Sequence, residues 1–287
     1  MRKIRVGGVP EHFNLPWHLS EEYGHFAQAD IALDWQFYGG GTGAMTKALR
    51  EGEVDMCILL TEGIVADIIN GNPSFIVSKY IETPLLWGIH TGIDNALERH
   101  DQIYNRQYAI SRFGSGSHLM AKVDAFYNET PLQSSQFTVV RNLDGALLSL
   151  KSLETDVFYW EKFTTKPYVD SGQLKRIGEY PTPWPCFVIA ATEEIVARDK
   201  QLVKDTLAVI YKMNKEFMAH PESPRMVSKR YEQKEADVLE WFGSTLWSTS
   251  NQVLPATIEK VIFTLQHAGV LEKNQSMAVD QIVKHLW

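Results

Sequence analysis

The sequence predicts a two-lobed α/β protein in which each lobe is a largely parallel sheet flanked by crossover helices. Three observations carry this reading. Strand-like and helix-like segments alternate from the first residues onward, which is the pattern of βαβ units. A helix, an acidic turn, an Asp and a buried strand follow one another over residues 43–60 and again over 145–161, so two modules of like design are expected. The proline cluster Pro181-Thr182-Pro183-Trp184-Pro185 fixes several φ angles and removes amide donors, which suits a stiff crossing between lobes better than a strand interior. With the chain leaving the first lobe near Thr91-Gly92, the expected division is 1–91 and 184–287 for the first lobe and 92–183 for the second.

The elements follow in order. Residues 4–9 read as the first strand, and residues 31–37 alternate Ile31, Leu33, Trp35 and Phe37 as a half-buried strand does. The run Gly39-Gly40-Gly41-Thr42-Gly43 comes next, then a helix over 44–51 and a buried strand over 54–60. A second helix over 61–69 has Ile64, Val65, Ile68 and Ile69 on one face and is stopped by Asn70-Gly71. Residues 75–81 and 84–90 are expected to pair as strands. The second module begins with a strand over 108–112, and the turn Phe113-Gly114-Ser115-Gly116-Ser117 leads into a helix with Leu119, Met120, Val123 and Phe126 along it. Beyond 186–191 the chain reads as helical. Thr192 is expected to cap one long helix through Phe217, with others over 235–242, 256–267 and 277–287, all covering the first lobe.

Composition removes several classes of function. The chain has 28 Lys and Arg against 35 Asp and Glu, a formal charge of −7, and no dense basic cluster, so nucleic acid is not an expected partner. No apolar run approaches the ~20 residues that cross a bilayer, so no membrane insertion is expected. Cys57 and Cys186 sit in apolar surroundings without metal-ligand spacing and read as buried thiols; neither a metal nor a cofactor is expected. Met1 runs into the first strand without the ~7–15-residue apolar stretch of a signal peptide. The chain as it stands is therefore expected in the cytoplasm, with a periplasmic or cell-surface address if a leader has been removed.

Ligands of open α/β sheets bind outside the carboxyl ends of the strands, and every candidate site residue sits at such an end. Gly40, Gly41, Thr42 and Gly43 would let backbone approach a ligand and aim helix amides at it, although a glycine-rich turn also serves a plain connection. Ser115, Gly116 and Ser117 form the matching turn of the second lobe, where Ser117 equally reads as a helix cap. Asn14 and Trp17 follow the first strand and offer an amide and a ring. Glu62 and Glu161 each follow a buried strand and would accept from amino or ring N–H donors, Glu161 being the stronger candidate because Glu62 also fits a helix-start acid. Trp160 and Trp184, with Tyr180, could stack a flat heterocycle, against the common use of tryptophan as core filler. His12, His18, His90 and His118 lie near strand ends without a paired nucleophile, so no catalytic residue is assigned.

The segment carrying Tyr23-Gly24-His25-Phe26, residues 31–35, the glycines 39–43, Met45, Ala48-Leu49 and Gly52-Glu53-Val54-Asp55 resembles the opening of a type 2 periplasmic binding protein of the nitrate, sulfonate and thiamine-pyrimidine (NMT1-like) group. The likeness runs through about the first 90 residues and thins over 111–161. It implies a two-lobed fold with two hinge crossovers and the C-terminal helices on the first lobe. It also implies a solute-binding protein closing around a small polar ligand, a nitrogen heterocycle such as a thiamine-pyrimidine precursor among the candidates. An ABC transporter permease would be the partner of an exported member. The alternative is a cytosolic enzyme on the same fold acting on a pyrimidine or related metabolite. The cysteine-rich iron segment of the fungal pyrimidine synthases of this group has no counterpart among two cysteines.

Overall fold

The computed structural model describes residues 1–287. In chain order the strands are β1 (Arg2–Gly8), β2 (Ile31–Phe37), β3 (Met56–Leu60), β4 (Ser74–Ile81), β5 (Leu86–Gly92), β6 (Tyr108–Ile110), β7 (Phe137–Val139), β8 (Val157–Glu161), β9 (Leu174–Pro181) and β10 (Phe187–Thr192). The helices are α1 (Leu15–Glu22), α2 (His25–Gln28), α3 (Thr42–Arg50), α4 (Thr61–Ile69), α5 (Gly116–Tyr127), α6 (Leu143–Lys151), α7 (Lys162–Asp170), α8 (Glu193–Arg198), α9 (Lys200–Ala219), α10 (Ser223–Tyr231), α11 (Glu235–Gly243), α12 (Pro255–His267) and α13 (Val279–Ile282). None is long and apolar enough to cross a membrane.

Two compact units result, one of residues 1–83, 184–259 and 276–287, the other of 84–183 and 260–275. The first holds a sheet of order β2-β1-β3-β10-β4 and the second a sheet of order β7-β6-β8-β5-β9. In the first, β1 runs parallel to β2 and β3, while β10 is antiparallel to β3 and β4. In the second, β6 runs parallel to β7 and β8, while β5 is antiparallel to β8 and β9. The two sheets therefore share one layout: three parallel strands, then a reversed strand, β10 in one and β5 in the other, then a last strand parallel to the first three. The repeated segments noted in the sequence are the equivalent pieces α3–β3 and α6–β8.

The core of the first unit is built on continuous apolar strands. All five residues of β3 are buried, as are all six of β10, because helices cover the sheet where these central strands lie. Helices α3 and α4 pack on β3 and β10, and α1 and α2 pack on α9. In the second unit Ala109, Ala146, Leu150, Phe158 and Leu174 form a buried cluster beneath α6 and α7.

Four expectations need correction. β4 and β5 do not pair with each other: β4 lies beside β10 and β5 between β8 and β9, because the chain passes from one unit to the other at Thr83-Pro84. The long helix after Thr192 is two helices. Thr192 caps α8, and Asp199, with φ −150° and ψ 70°, breaks the run and caps α9 through Leu202. Residues 277–287 form only the single turn α13, after which Val283 bridges in parallel to Ile76 of β4. The C-terminal helices do not all belong to the first unit, since 260–275 pack with α5 through Lys122 Nζ on the Gly269 carbonyl, 2.8 Å, and Phe126 against Phe263.

Candidate functional site

In the first unit the carboxyl ends of β1 to β4 and the start of β10 meet at one sheet edge. The turn after β2 makes the first half of the site. Gly41 sits at φ 64° and ψ −158°, a conformation that only glycine adopts readily, and this brings Thr42 to the start of α3. Thr42 Oγ1 accepts from the Leu60 amide at 3.2 Å and so ties the start of α3 to the end of β3. A Cβ on Gly63 would lie 2.4 Å from Thr42 Cγ2, so the starts of α3 and α4 approach closely only because residue 63 has no side chain. Neither helix start is capped by a side chain. The first amides of a helix need acceptors, which come from caps, water or ligands.

Glu62 stands in the first turn of α4 and is wholly buried. Its Oε2 accepts from the Trp184 indole N–H at 2.9 Å, while Oε1 has no protein partner. Burial pushes the carboxyl up to about 7, although the indole N–H favours the charged form. The loop before β10 is fixed against α4, because Thr61 donates its hydroxyl to the Pro185 carbonyl at 2.6 Å and its amide to the Cys186 carbonyl at 3.0 Å. After β1, Asn14 is also fully buried. Its Nδ2 donates to the Val9 carbonyl at 2.9 Å and its Oδ1 has no partner. This edge thus combines two uncapped helix starts with two buried acceptor oxygens free of protein donors.

Other candidates lie elsewhere or are engaged. Trp17 is a core residue with its ring among Phe26, Trp35 and Tyr80. In the second unit Ser117 Oγ accepts from the Ser111 amide at 3.2 Å and pairs with Ser115 Oγ at 3.0 Å, while Ser115 donates to the Arg112 carbonyl. These serines knit the turn around Gly116 and do not cap α5, whose start also lacks a side-chain cap. Trp160 stacks on Phe158 and packs against the buried cluster under α6 and α7. Glu161 differs from Glu62 for a reason of register. It occupies the cap position of α7 itself, where Oε1 accepts from the Phe163 amide at 3.0 Å and Oε2 from the Thr164 amide and hydroxyl at 2.6 and 2.7 Å. Both its oxygens are satisfied within their own helix start, so the weight placed on the two carboxylates by sequence is reversed.

Burial lowers the four histidines. His12 and His90 fall to about 3 and His18 and His118 to about 4, which leaves all four rings neutral near pH 7. Two exposed aromatics escaped the sequence reading. Phe37 ends β2 with 62% of its surface exposed, although the alternation of that strand predicted it buried, and Phe113, after β6, is 54% exposed. The missed signal was their position, since each lies within two residues of a glycine-bearing turn at a carboxyl edge.

A family model described as Ca3427-like PBP matches residues 87–180. The Candida albicans CA3427 gene product, whose structure is described as showing the generic periplasmic binding protein fold, is 27% identical to the chain. It matches over 99% of this chain and 96% of that one with a TM-score of 0.92. The alkanesulfonate-binding protein SsuA from Xanthomonas axonopodis pv. citri is 11% identical, with 98% of each chain covered and a TM-score of 0.77. The nitrate-binding protein NrtA from Synechocystis PCC 6803 is 13% identical, with 99% of this chain and 86% of that one covered and a TM-score of 0.74. Comparison with curated proteins gave no match. The CA3427 likeness spans both units and the family model falls on strands β5 to β9 of the second: the chain has the two-lobed α/β fold of the periplasmic binding proteins and, over residues 87–180, is similar to the Ca3427-like group.

Proposed function

We propose that the chain is a solute-binding protein that holds a small polar nitrogen heterocycle, of which a thiamine-pyrimidine precursor is an example, at the carboxyl edge of its first sheet. One observation carries the reading. Glu62 Oε1 is a buried acceptor without a donor, beside helix starts that no side chain caps. A buried polar atom left unpaired costs about 1–3 kcal/mol, and a ligand N–H would recover that. Mass spectrometry of the molecule that co-purifies with the native protein tests this: an N–H-bearing heterocycle supports it, and an anion without such a donor refutes it. Binding by closure adds a second measurement, since a saturating ligand should shrink the radius of gyration in small-angle scattering.

A second reading rests on the same carboxyl. An acid held at about 7 is poised for proton transfer, which an enzyme acting on a pyrimidine would use. Turnover of the co-purified metabolite would decide for it. We further propose a cytoplasmic location; recovery of a cleaved precursor would overturn this and bring an ABC permease in as partner.

A further inference from the structure

We infer that Trp184 sets the ligand class of this site: by holding one oxygen of Glu62 it leaves a single acceptor, so the site takes an uncharged molecule that offers one N–H or O–H donor and turns away forked cations. The inference rests on the reading of Glu62 as ligand-facing. Trp184 is only 3% exposed, and the two residues after it are held by Thr61. The indole therefore cannot swing aside without loosening the start of α4.

The consequences for a ligand follow from geometry and charge. An amidinium or guanidinium group binds a carboxylate through two parallel N–H bonds, one to each oxygen. Here Oε2 already accepts from Nε1, so the fork would have to displace the indole. A cation also meets the starts of α3 and α4, whose aligned peptide dipoles favour negative charge nearby. An anion meets the carboxyl of Glu62, which has no basic side chain beside it to offset the repulsion. Asn14 Oδ1, a second buried acceptor on the same sheet edge, likewise suits a donor and not an anion. A neutral heterocycle with an amino group next to a ring nitrogen meets each requirement, giving its N–H to Oε1 and offering the ring nitrogen to the helix amides.

Isothermal titration with 4-aminopyrimidine, acetamidinium and nitrate as probes, on the native protein and on Trp184→Phe and Glu62→Gln, tests the inference. The native protein should bind 4-aminopyrimidine about tenfold or more tightly than acetamidinium, and Glu62→Gln should weaken that binding about tenfold. Trp184→Phe keeps a ring but frees Oε2, and should narrow or invert the preference. A native preference for acetamidinium, or an unchanged ratio in a folded Trp184→Phe, overturns the inference; the solute-binding reading survives either result provided Glu62→Gln weakens binding. If Trp184→Phe does not fold, the native ratio decides alone. Binding of none of the three probes, or tighter binding of nitrate than of 4-aminopyrimidine, overturns the reading of the site itself.

Discussion

Replacing Glu62 by Gln should stabilise the empty protein at alkaline pH and leave it unchanged at acid pH. Folding raises this carboxyl, so the folded protein holds the proton more tightly than the unfolded chain does. The sign follows: the stability lent by the protonated group is present below pH 4.5 and is lost as pH climbs through about 7. From 4.5 to about 7 is roughly 2.5 pH units, and at about 1.4 kcal/mol per unit the buried carboxylate costs the fold roughly 3 kcal/mol above pH 7. Glutamine keeps the shape and can still accept the Trp184 N–H, but never ionises. Urea melts of both proteins at pH 4 and pH 8 measure the difference. At pH 4 the two should agree within about 1 kcal/mol, and at pH 8 the variant should lead by roughly 3 kcal/mol, seen as a rise in Tm of roughly 5–10 °C. A difference that is the same at both pH values would show that burial does not raise the Glu62 carboxyl.

Glu161→Ala should lower stability by about 0.5–2 kcal/mol through loss of the α7 cap and leave 4-aminopyrimidine binding unchanged; weaker binding at undiminished stability would restore Glu161 as a ligand contact. In the second unit Asp124 is fully buried and accepts from His100 at 2.6 Å, from Asn128 at 3.0 Å and from the Tyr159 hydroxyl. Asp124→Ala strands those donors and should cost about 2–5 kcal/mol in a thermal or urea melt, and a loss under 1 kcal/mol would mean water replaces the carboxylate. Gly63→Ala should cost about 1–3 kcal/mol by forcing a methyl against Thr42 Cγ2, and Thr42→Ser, which keeps the hydroxyl and removes that methyl, should recover most of it. A failure of Thr42→Ser to rescue would place the strain elsewhere.

Much of the architecture was legible because period and punctuation agreed. The bounds of the strand over 31–37 and of the helix over 61–69 matched the observed elements to the residue, although the burial of β2 does not alternate, and the repeat of 43–60 in 145–161 marked equivalent strands. Pairing was not legible, since residues 75–81 and 84–90 read as neighbours while their partners lie roughly 70 to 120 residues away in sequence. At the site, sequence placed Glu62 and Glu161 at strand ends but could not tell a cap position from a first-turn position two residues on. That offset decides everything about them. At the cap a carboxylate folds back on its own amides, as Glu161 does, whereas inside the first turn Glu62 reaches Trp184, from which it is separated by more than a hundred residues.

The place of β10 between β3 and β4 bears on how the protein is made. During synthesis β1, β2 and β3 can assemble as soon as they emerge, because their partners are already available. β4 cannot, for its only sheet neighbour begins at Phe187, more than a hundred residues after β4 itself. β5 waits in the same way, though less long, for β8 and β9. A ribosome-bound chain therefore carries β4, an apolar strand with both edges open, through the whole time in which the second unit is translated. Nascent-chain survival in this protein should hinge on shielding that one strand, and any fragment ending before residue 187 is expected to aggregate through it.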